Sequence, residues 1–296
     1  METVAVGDHR IVAYERWGAL DGQPMFFLHG SPGCRLNRHP DATLWPDLGL
    51  HGVTIDRPGY GASTALPGRR VRHAAGDVAA VADALGVGPF LVVGSSGGGP
   101  HALVCAAELG HRVLGCAVVA SAAQLLPSEV EDLIGVNRQA LRILAEYGRT
   151  GMVDFLGSLR DDFLADPVAA LEVQLADAPA ADIQWNQRED VRTVRREAIL
   201  EALRPGVQGW VDDSVSIFGD DWNLDLGRVT CPVRFWHSDD DRNGPLPAIQ
   251  RLVESVPGAT LTVWNGEGHS APARNMDQVL GDLLDTARGD HNGDLG

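Results

Sequence analysis

Residues 90–100 read FLVVGSSGGGP, a short apolar run followed at once by glycines and serines. Phe90 to Val93 has the composition of a strand buried on both faces of a parallel sheet. Gly94-Ser95-Ser96-Gly97-Gly98 fits the pattern G-x-S-x-G with Ser96 at its centre, and helix-like residues follow to about Leu109. The register is unique, because centring the pattern on Ser95 would require Gly in place of Val93. A strand, a tight turn and a helix in this order predict a serine exposed at the edge of a parallel sheet.

This turn has a chemical rationale. The glycines let neighbouring backbone pack closely, and the helix that follows offers free N–H groups and a positive dipole end to an oxyanion. A dinucleotide-binding turn is the alternative for a glycine-rich turn in this position. The pattern G-x-G-x-x-G fails here because Ser96 stands at its second glycine, and no acidic residue ends a strand about 20 residues later. The stretch therefore favours a serine nucleophile.

A serine nucleophile needs a base and an acid that orients the base. Residues 231–237 form a late strand-like run, and Asp239, Asp240 and Asp241 follow it directly. Residues 260–264 form another, and His269 follows it within a glycine-rich loop. Ligands gather beyond the carboxyl ends of strands in open α/β sheets, so we expect acid, base and serine at one edge.

Five stretches resemble the α/β-hydrolase superfamily, in its Ser-Asp-His order. They are similar to its oxyanion loop, its D-R-P-G-Y-G turn, its nucleophile elbow, its acid loop and its histidine loop: HGSPG (29–33), DRPGYGAS (56–63), GSSGGGP (94–100), HSDDDRNGP (237–245) and GEGH (266–269). The resemblance implies Ser96 as nucleophile, His269 as base and Asp241 as the orienting acid. Asp240 is the alternative acid. Within the acid loop, Ser238 and Gly244 depart from the family pattern.

The resemblance also implies a mechanism. Ser96 would attack an acyl carbonyl while His269 takes its proton, and the backbone N–H groups of Ser31 and Gly97 would bind the oxyanion. Water would then release the acyl group. This chemistry requires no metal and no cofactor.

The alternation of strands and helices predicts a mostly parallel, doubly wound sheet of the α/β-hydrolase fold with an inserted helical cap. We expect the core in residues 1–121 and 229–288, the cap (or lid) in residues 122–228, and a flexible tail in residues 289–296. In the cap, Trp185, Trp210 and Phe218 are candidate substrate contacts, with packing inside the cap as the alternative. His101, on the helix after Ser96, is a further candidate contact, and a packed side chain is again the alternative.

Composition excludes several other chemistries. All 24 basic residues are Arg, so neither a lysine Schiff base nor a Walker A phosphate loop is available. The formal net charge of −16 argues against a nucleic-acid partner, since binding phosphates needs clustered positive charge. Residues 122–228 hold 20 of the 40 acidic residues and 10 of the 24 basic ones. This excess of acid on the cap favours an uncharged substrate.

Other features concern the setting of the protein. The four cysteines lack CxxC spacing, the first ten residues lack an apolar leader, and no apolar run reaches about 18 residues. We therefore expect a cytoplasmic protein with a small-molecule substrate and no membrane partner, and a homodimer is compatible with the sequence.

The predicted function is hydrolysis of a carboxylic ester or lactone of small to medium size. A proline iminopeptidase is one alternative, because HGSPG and DRPGYG resemble that branch. A cofactor-free perhydrolase or haloperoxidase-like enzyme is another, as is a lyase or cyclase on the same fold. A binding protein that retains the scaffold is the fourth reading, disfavoured by the complete set of Ser96, His269 and acid candidates.

Overall fold

One mostly parallel sheet carries the functional loops. The computed structural model describes residues 1–7, 9–219 and 222–289. In these residues eight strands form a sheet in the order β1-β2-β4-β3-β5-β6-β7-β8. They are β1 (Glu2–Val6), β2 (Arg10–Gly18), β3 (Gln23–Leu28), β4 (Leu50–Ile55), β5 (Phe90–Ser95), β6 (Val113–Val119), β7 (Val233–Ser238) and β8 (Thr260–Trp264). Strand β2 pairs antiparallel with β1 and β4, and the other pairs are parallel. The predicted α/β-hydrolase fold is confirmed.

Helices cover both faces of this sheet and fill the segment between β6 and β7. Those of the sheet layers are α1 (Leu44–Asp47), α2 (His73–Ala84), α3 (Gly99–Glu108), α9 (Leu246–Glu254), α10 (Ala271–Arg274) and α11 (Met276–Gly289). Those between β6 and β7 are α4 (Gly135–Ala165), α5 (Pro167–Gln174), α6 (Ala180–Asn186), α7 (Glu189–Leu203) and α8 (Gln208–Ser214). Helices α4 to α8 all lie within the residues predicted as the cap. The predicted tail, apart from the backbone of Gly289, lies outside the described residues.

Alternate positions of the central strands pack on opposite faces of the sheet, as the period of two requires. Val92 and Phe235 pack against helices α2, α3 and α9. Leu91 and Trp236, one position away, pack against α1 and α11. Both faces are therefore covered, which explains why these strands are continuously apolar.

A third apolar cluster joins the cap to the core. Its buried members come from α4, α7 and α8, and Tyr60 and Cys34 of the core pack among them. The cap is thus seated on the loops that follow β3 and β4.

The composition of residues 41–50, 129–146 and 152–164 predicts three helices, and two of them have different bounds in the structure. The helix expected over residues 41–50 is limited to α1, because Gly49 at φ +67° turns the chain into β4. The helix expected over 129–146 begins only at Gly135, since residues 127–132 form a 3₁₀ turn, and α4 is interrupted inside the gap expected between residues 146 and 152. Gly148, with φ 58° and ψ −149°, breaks α4 in its middle.

Candidate active site

Ser96 sits on a strained turn between β5 and α3. Its φ of +54° lies in the left-handed region, which a residue with a side chain occupies at a cost of about 1–2 kcal/mol. Close packing around the turn enforces this conformation. A Cβ on Gly94 would lie 2.6 Å from Cβ of Ala102, and one on Gly98 would overlap the carbonyl oxygen of Leu28. The glycines are therefore required by contacts with α3 and β3.

His269 and Asp241 form a hydrogen-bonded pair. Nδ1 of His269 lies 2.8 Å from Oδ2 of Asp241 and donates its proton to that oxygen. The other oxygen of Asp241 accepts from the backbone N–H groups of Asn243 (2.8 Å) and Gly244 (3.2 Å). The buried carboxylate is thereby satisfied on both oxygens, and it fixes the tautomer of His269 with Nε2 unprotonated.

Charges around the pair set its protonation. Burial lowers the pKa of His269, but Asp241 and Asp182 more than offset this and raise the pKa above its usual value. Burial raises the pKa of Asp241, and the attraction of His269 more than offsets that, so the pKa of Asp241 is lowered. The arrangement keeps Asp241 ionised and favours the cationic form of His269 that arises during proton transfer.

The structure places Asp241, rather than its two neighbours, against His269. Asp240 is half exposed and accepts a hydrogen bond from Arg242 (3.2 Å). Asp239 accepts from the backbone N–H of Gly266 (2.7 Å) and links the acid loop to the histidine loop. The alternative of Asp240 as the orienting acid is not supported by this geometry.

The departures from the family pattern leave this loop intact. His237 donates from Nε2 to the carbonyl of Gly244 at 2.7 Å, and Nε2 lies 3.7 Å from Oδ2 of Asp241. A Cβ on Gly244 would lie 2.6 Å from the carbonyl oxygen of Ser121, so the glycine allows a close approach. Ser238 is fully buried at the end of β7. His237 and Gly244 therefore hold the turn that presents Asp241.

Ser96 and His269 line one cavity of about 640 Å³. Within the described residues, the Ser96 hydroxyl forms no hydrogen bond to His269. Such a bond is often long in a free enzyme and tightens when substrate binds.

The two predicted oxyanion-hole residues lie together beside Ser96. Both Ser31 and Gly97 line the cavity, and a Cβ on Gly97 would lie 2.5 Å from Oγ of Ser31. Gly97 belongs to the turn that leads into α3, so its amide is near the positive end of that helix. The glycine at position 97 is therefore necessary for the loop of Ser31 to approach the elbow.

A buried charge cluster, which we call the Asp213 cluster, supports this loop from behind. Asp213 of α8 is fully buried and accepts from Arg57 (2.5 Å), Arg69 (2.5 Å), Tyr60 (2.9 Å) and the Ser31 hydroxyl. Arg57 also donates to the carbonyl oxygens of residues 29 and 30, at 2.5 and 2.9 Å. A cap residue thus holds the oxyanion loop directly at the Ser31 hydroxyl and through Arg57. Sequence reasoning missed this cluster, although Arg57 stands inside the D-R-P-G-Y-G turn.

A second cap carboxylate, Asp182 of α6, holds the histidine loop. Only 1% of its surface is exposed. Its oxygens accept from the backbone N–H groups of His269 (2.8 Å) and Ser270 (2.7 Å). A Cβ on Gly268 would collide with this carboxylate, so the glycine of the GEGH stretch makes room for it. Asp182 was also missed, since no motif marks it.

The cap aromatics and His101 have different positions. Trp185, Trp210 and Phe218 line the cavity, and Trp210 also belongs to the third apolar cluster. His101 does not line it: the side chain is 1% exposed and donates from Nδ1 to the carbonyl of Gly97 at 2.7 Å. Burial lowers its pKa to about 3. His101 is a neutral, packed side chain under the elbow, in place of the predicted substrate contact.

Two further searches concern metals and membranes. In residues 1–7, 9–219 and 222–289, His, Cys, Asp and Glu side chains form no group of three or more that could hold a metal ion. Across the same residues, no helix is long and apolar enough to cross a membrane.

Comparisons with known proteins show the family and the fold. Residues 23–273 match the model of a family described as having the alpha/beta hydrolase fold. A non-heme chloroperoxidase of Burkholderia pyrrocinia is 26% identical over 293 residues, covering 96% of this chain and 98% of the relative. A bifunctional esterase/perhydrolase of Acinetobacter calcoaceticus is 26% identical with the same coverage. An esterase structure from Thermogutta terrifontis superposes with a TM-score of 0.67 at 18% identity, covering 97% of this chain and 98% of the other.

Proposed function

Because the chain belongs to the family of α/β hydrolases, we propose that it is a serine hydrolase that cleaves a carboxylic ester or lactone through an acyl-enzyme on Ser96. The observation that carries the proposal is the His269–Asp241 hydrogen bond of 2.8 Å, at a cavity whose wall also contains the strained Ser96.

The proposed steps follow from the protonation states. His269, neutral at Nε2, takes the Ser96 proton as Oγ attacks the acyl carbonyl, and Asp241 stabilises the imidazolium that forms. The amides of Ser31 and Gly97 receive the oxyanion, and each such donor contributes about 3–4 kcal/mol in enzymes where one was removed. The imidazolium protonates the leaving alkoxide. Water, deprotonated by His269, then releases the acid.

The acidic side chains in the cavity wall bear on the choice between ester and peptide substrates. An aminopeptidase needs a carboxylate to hold the substrate amine. Of the two acids in the described cavity wall, Asp182 is occupied by two backbone amides, and Glu172 is paired with Arg192 at 2.8 Å. Neither is free for an ammonium group, which favours an ester or lactone over an N-terminal proline amide.

Perhydrolysis is a second candidate for the same site. Relatives named haloperoxidases and an esterase/perhydrolase cover 96% of this chain. In that reaction hydrogen peroxide, instead of water, attacks the acyl-enzyme and releases a peracid. The residues required are the same, so the two activities would share Ser96 and differ only in the second nucleophile.

The test uses the two adjacent serines of the elbow. Wild type, Ser96→Ala and Ser95→Ala are treated with a fluorophosphonate probe and assayed with short p-nitrophenyl esters, a lactone and prolyl-naphthylamide. We expect labelling and ester turnover in wild type and Ser95→Ala, and neither in Ser96→Ala. Turnover that survives in Ser96→Ala would refute the mechanism, and preferred cleavage of the prolyl amide would refute the ester assignment. Adding hydrogen peroxide and bromide measures the perhydrolase activity, because the peracid oxidises bromide to hypobromite, which brominates the reporter monochlorodimedone.

A further inference from the structure

The cavity wall carries unpaired positive charge although the protein as a whole is strongly acidic. Four arginines line the cavity: Arg38, Arg192, Arg195 and Arg196. Arg192 is paired with Glu172 at 2.8 Å, and Arg38 with Glu197 at 3.5 Å. Within the described residues, no carboxylate oxygen lies within 4 Å of the guanidinium nitrogens of Arg195 or Arg196. The acidity of the cap therefore does not extend to this wall.

Arg195 is the better placed of the two. Its guanidinium donates from Nη1 to Oδ1 of Asn186, whose own amide donates to the backbone carbonyl of Asp182 at 2.7 Å and lies 3.5 Å from the hydroxyl of Ser270. This chain of contacts fixes Arg195 beside the loop of His269. Only one of its five N–H donors is used in the described contacts.

The surroundings of Arg195 resemble a binding site more than a protein surface. The residue is accessible to solvent, yet burial by neighbouring groups lowers the pKa of its guanidinium. Arg195 also lines the cavity that contains Ser96 and His269. A guanidinium remains charged at all working pH values, and its planar fork matches the two oxygens of a carboxylate. Because the carboxylate of Asp182 also acts on Arg195, a singly charged anion suits this position better than a dianion.

We propose that Arg195, held by Asn186, binds a carboxylate on the substrate, so that the enzyme acts on esters or lactones that also carry a free carboxylate. The proposal rests on the hydrolase function proposed above and deepens it. It replaces the expectation of an uncharged substrate. That expectation was based on the net charge of the whole cap, whereas the cavity wall carries arginines.

The test compares two substrates that differ by one charge: mono-p-nitrophenyl adipate and its neutral methyl ester. Arg195→Gln removes the charge and Arg195→Lys retains it without the fork. Arg142→Gln is the matched control, because Arg142 is an exposed cap arginine, paired with Glu131 and outside the cavity wall. We expect Arg195→Gln to raise KM for the anionic ester about 10- to 100-fold, the value of one or two charge-assisted hydrogen bonds. KM for the neutral ester should stay near wild type, Arg195→Lys should recover part of the loss, and Arg142→Gln should change neither ester.

A binding measurement separates this proposal from the proposed function. Monomethyl adipate is titrated calorimetrically into the Ser96→Ala protein with and without Arg195→Gln, and thermal melting verifies folding. Suppose that wild type hydrolyses the neutral ester and that Arg195→Gln changes KM for both esters equally or for neither. This result would overturn the carboxylate subsite but leave the hydrolase function intact. Wild type that hydrolyses no ester would overturn the hydrolase. In that case, loss of monomethyl adipate binding when Arg195→Gln is added to the Ser96→Ala protein supports the subsite. Equal binding by the two proteins refutes it.

Discussion

Replacing Asp182 by Asn tests whether the cap positions the catalytic histidine. Asp182 is 1% exposed and accepts from the backbone N–H groups of His269 and Ser270, at 2.8 and 2.7 Å. Asn has nearly the same shape but offers one acceptor oxygen, and its NH₂ group would face the second N–H. The substitution therefore removes one hydrogen bond and the negative charge while it preserves packing.

The lost hydrogen bond sets the expected changes in the free energy of unfolding and in kcat. A hydrogen bond to a charged, buried acceptor contributes about 1.5–3 kcal/mol, so the free energy of unfolding should fall by about that amount. The freed N–H belongs to the loop that carries the imidazole of His269. A displacement of about 1 Å at a reacting group lowers a rate about 100-fold, so we expect kcat to fall about 10- to 100-fold.

The pH profile should move as well. Asp182 is among the charges that raise the pKa of His269. Removing its charge lowers that pKa, so the neutral imidazole needed as base persists to lower pH. The acid limb of the kcat profile should therefore shift to lower pH. A residue with only a packing role would leave this limb in place.

The assay is kcat for a p-nitrophenyl ester across about pH 5–9, the range in which histidine titrates, with urea denaturation for stability. Asp177→Asn is the matched control, because exposed Asp177 of the cap also accepts a backbone N–H, from Gly135 at 2.9 Å. A folded Asp182→Asn protein with wild-type kcat and an unmoved acid limb would refute the reasoning. So would an equal effect of Asp177→Asn.

Three further predictions concern the rest of the site. Asp213→Asn should lower the free energy of unfolding by about 3–5 kcal/mol, because two buried guanidinium groups lose their carboxylate. Asp212→Asn is the control, because the arginine paired with Asp212 is partly exposed, and it should lower the free energy of unfolding by about 1 kcal/mol. If urea denaturation shows equal destabilisation by the two substitutions, the account of the Asp213 cluster is wrong. Asp241→Asn should lower kcat about 10⁴-fold in the ester assay through the wrong histidine tautomer, and a drop below tenfold would indicate another acid. Gly97→Ala should abolish turnover, because its Cβ would lie 2.5 Å from Oγ of Ser31, and wild-type kcat in that variant would show the predicted oxyanion hole to be elsewhere.

The central strands were predictable because strands of a parallel sheet are buried on both faces and must be apolar at every position. The elbow was predictable for a related reason. Positive φ at Ser96 and close packing at Gly94 and Gly98 permit few residue types. Helix bounds in the cap were less predictable, because residues 129–132, which are helical in composition, lie in a 3₁₀ turn before α4 begins at Gly135.

The choice among Asp239, Asp240 and Asp241 illustrates what local sequence leaves open. Three consecutive aspartates cannot be distinguished by composition, and the path of the backbone decides which of them faces His269. That path depends on the bond from His237 to the carbonyl of Gly244, seven residues later.

The sheet, the elbow and the chain order of serine, acid and base could be predicted from the sequence, because each depends on residues close together in the chain and on steric limits that few residue types satisfy. Which charged side chains meet depends on long-range packing. Asp182 lies 87 residues before His269, and Asp213 lies 182 residues after Ser31. Asp182 acts on Arg195, but its oxygens accept from the backbone amides of His269 and Ser270. Such pairings depend on how helices of the cap are seated on distant loops, and no local pattern of residues records that arrangement.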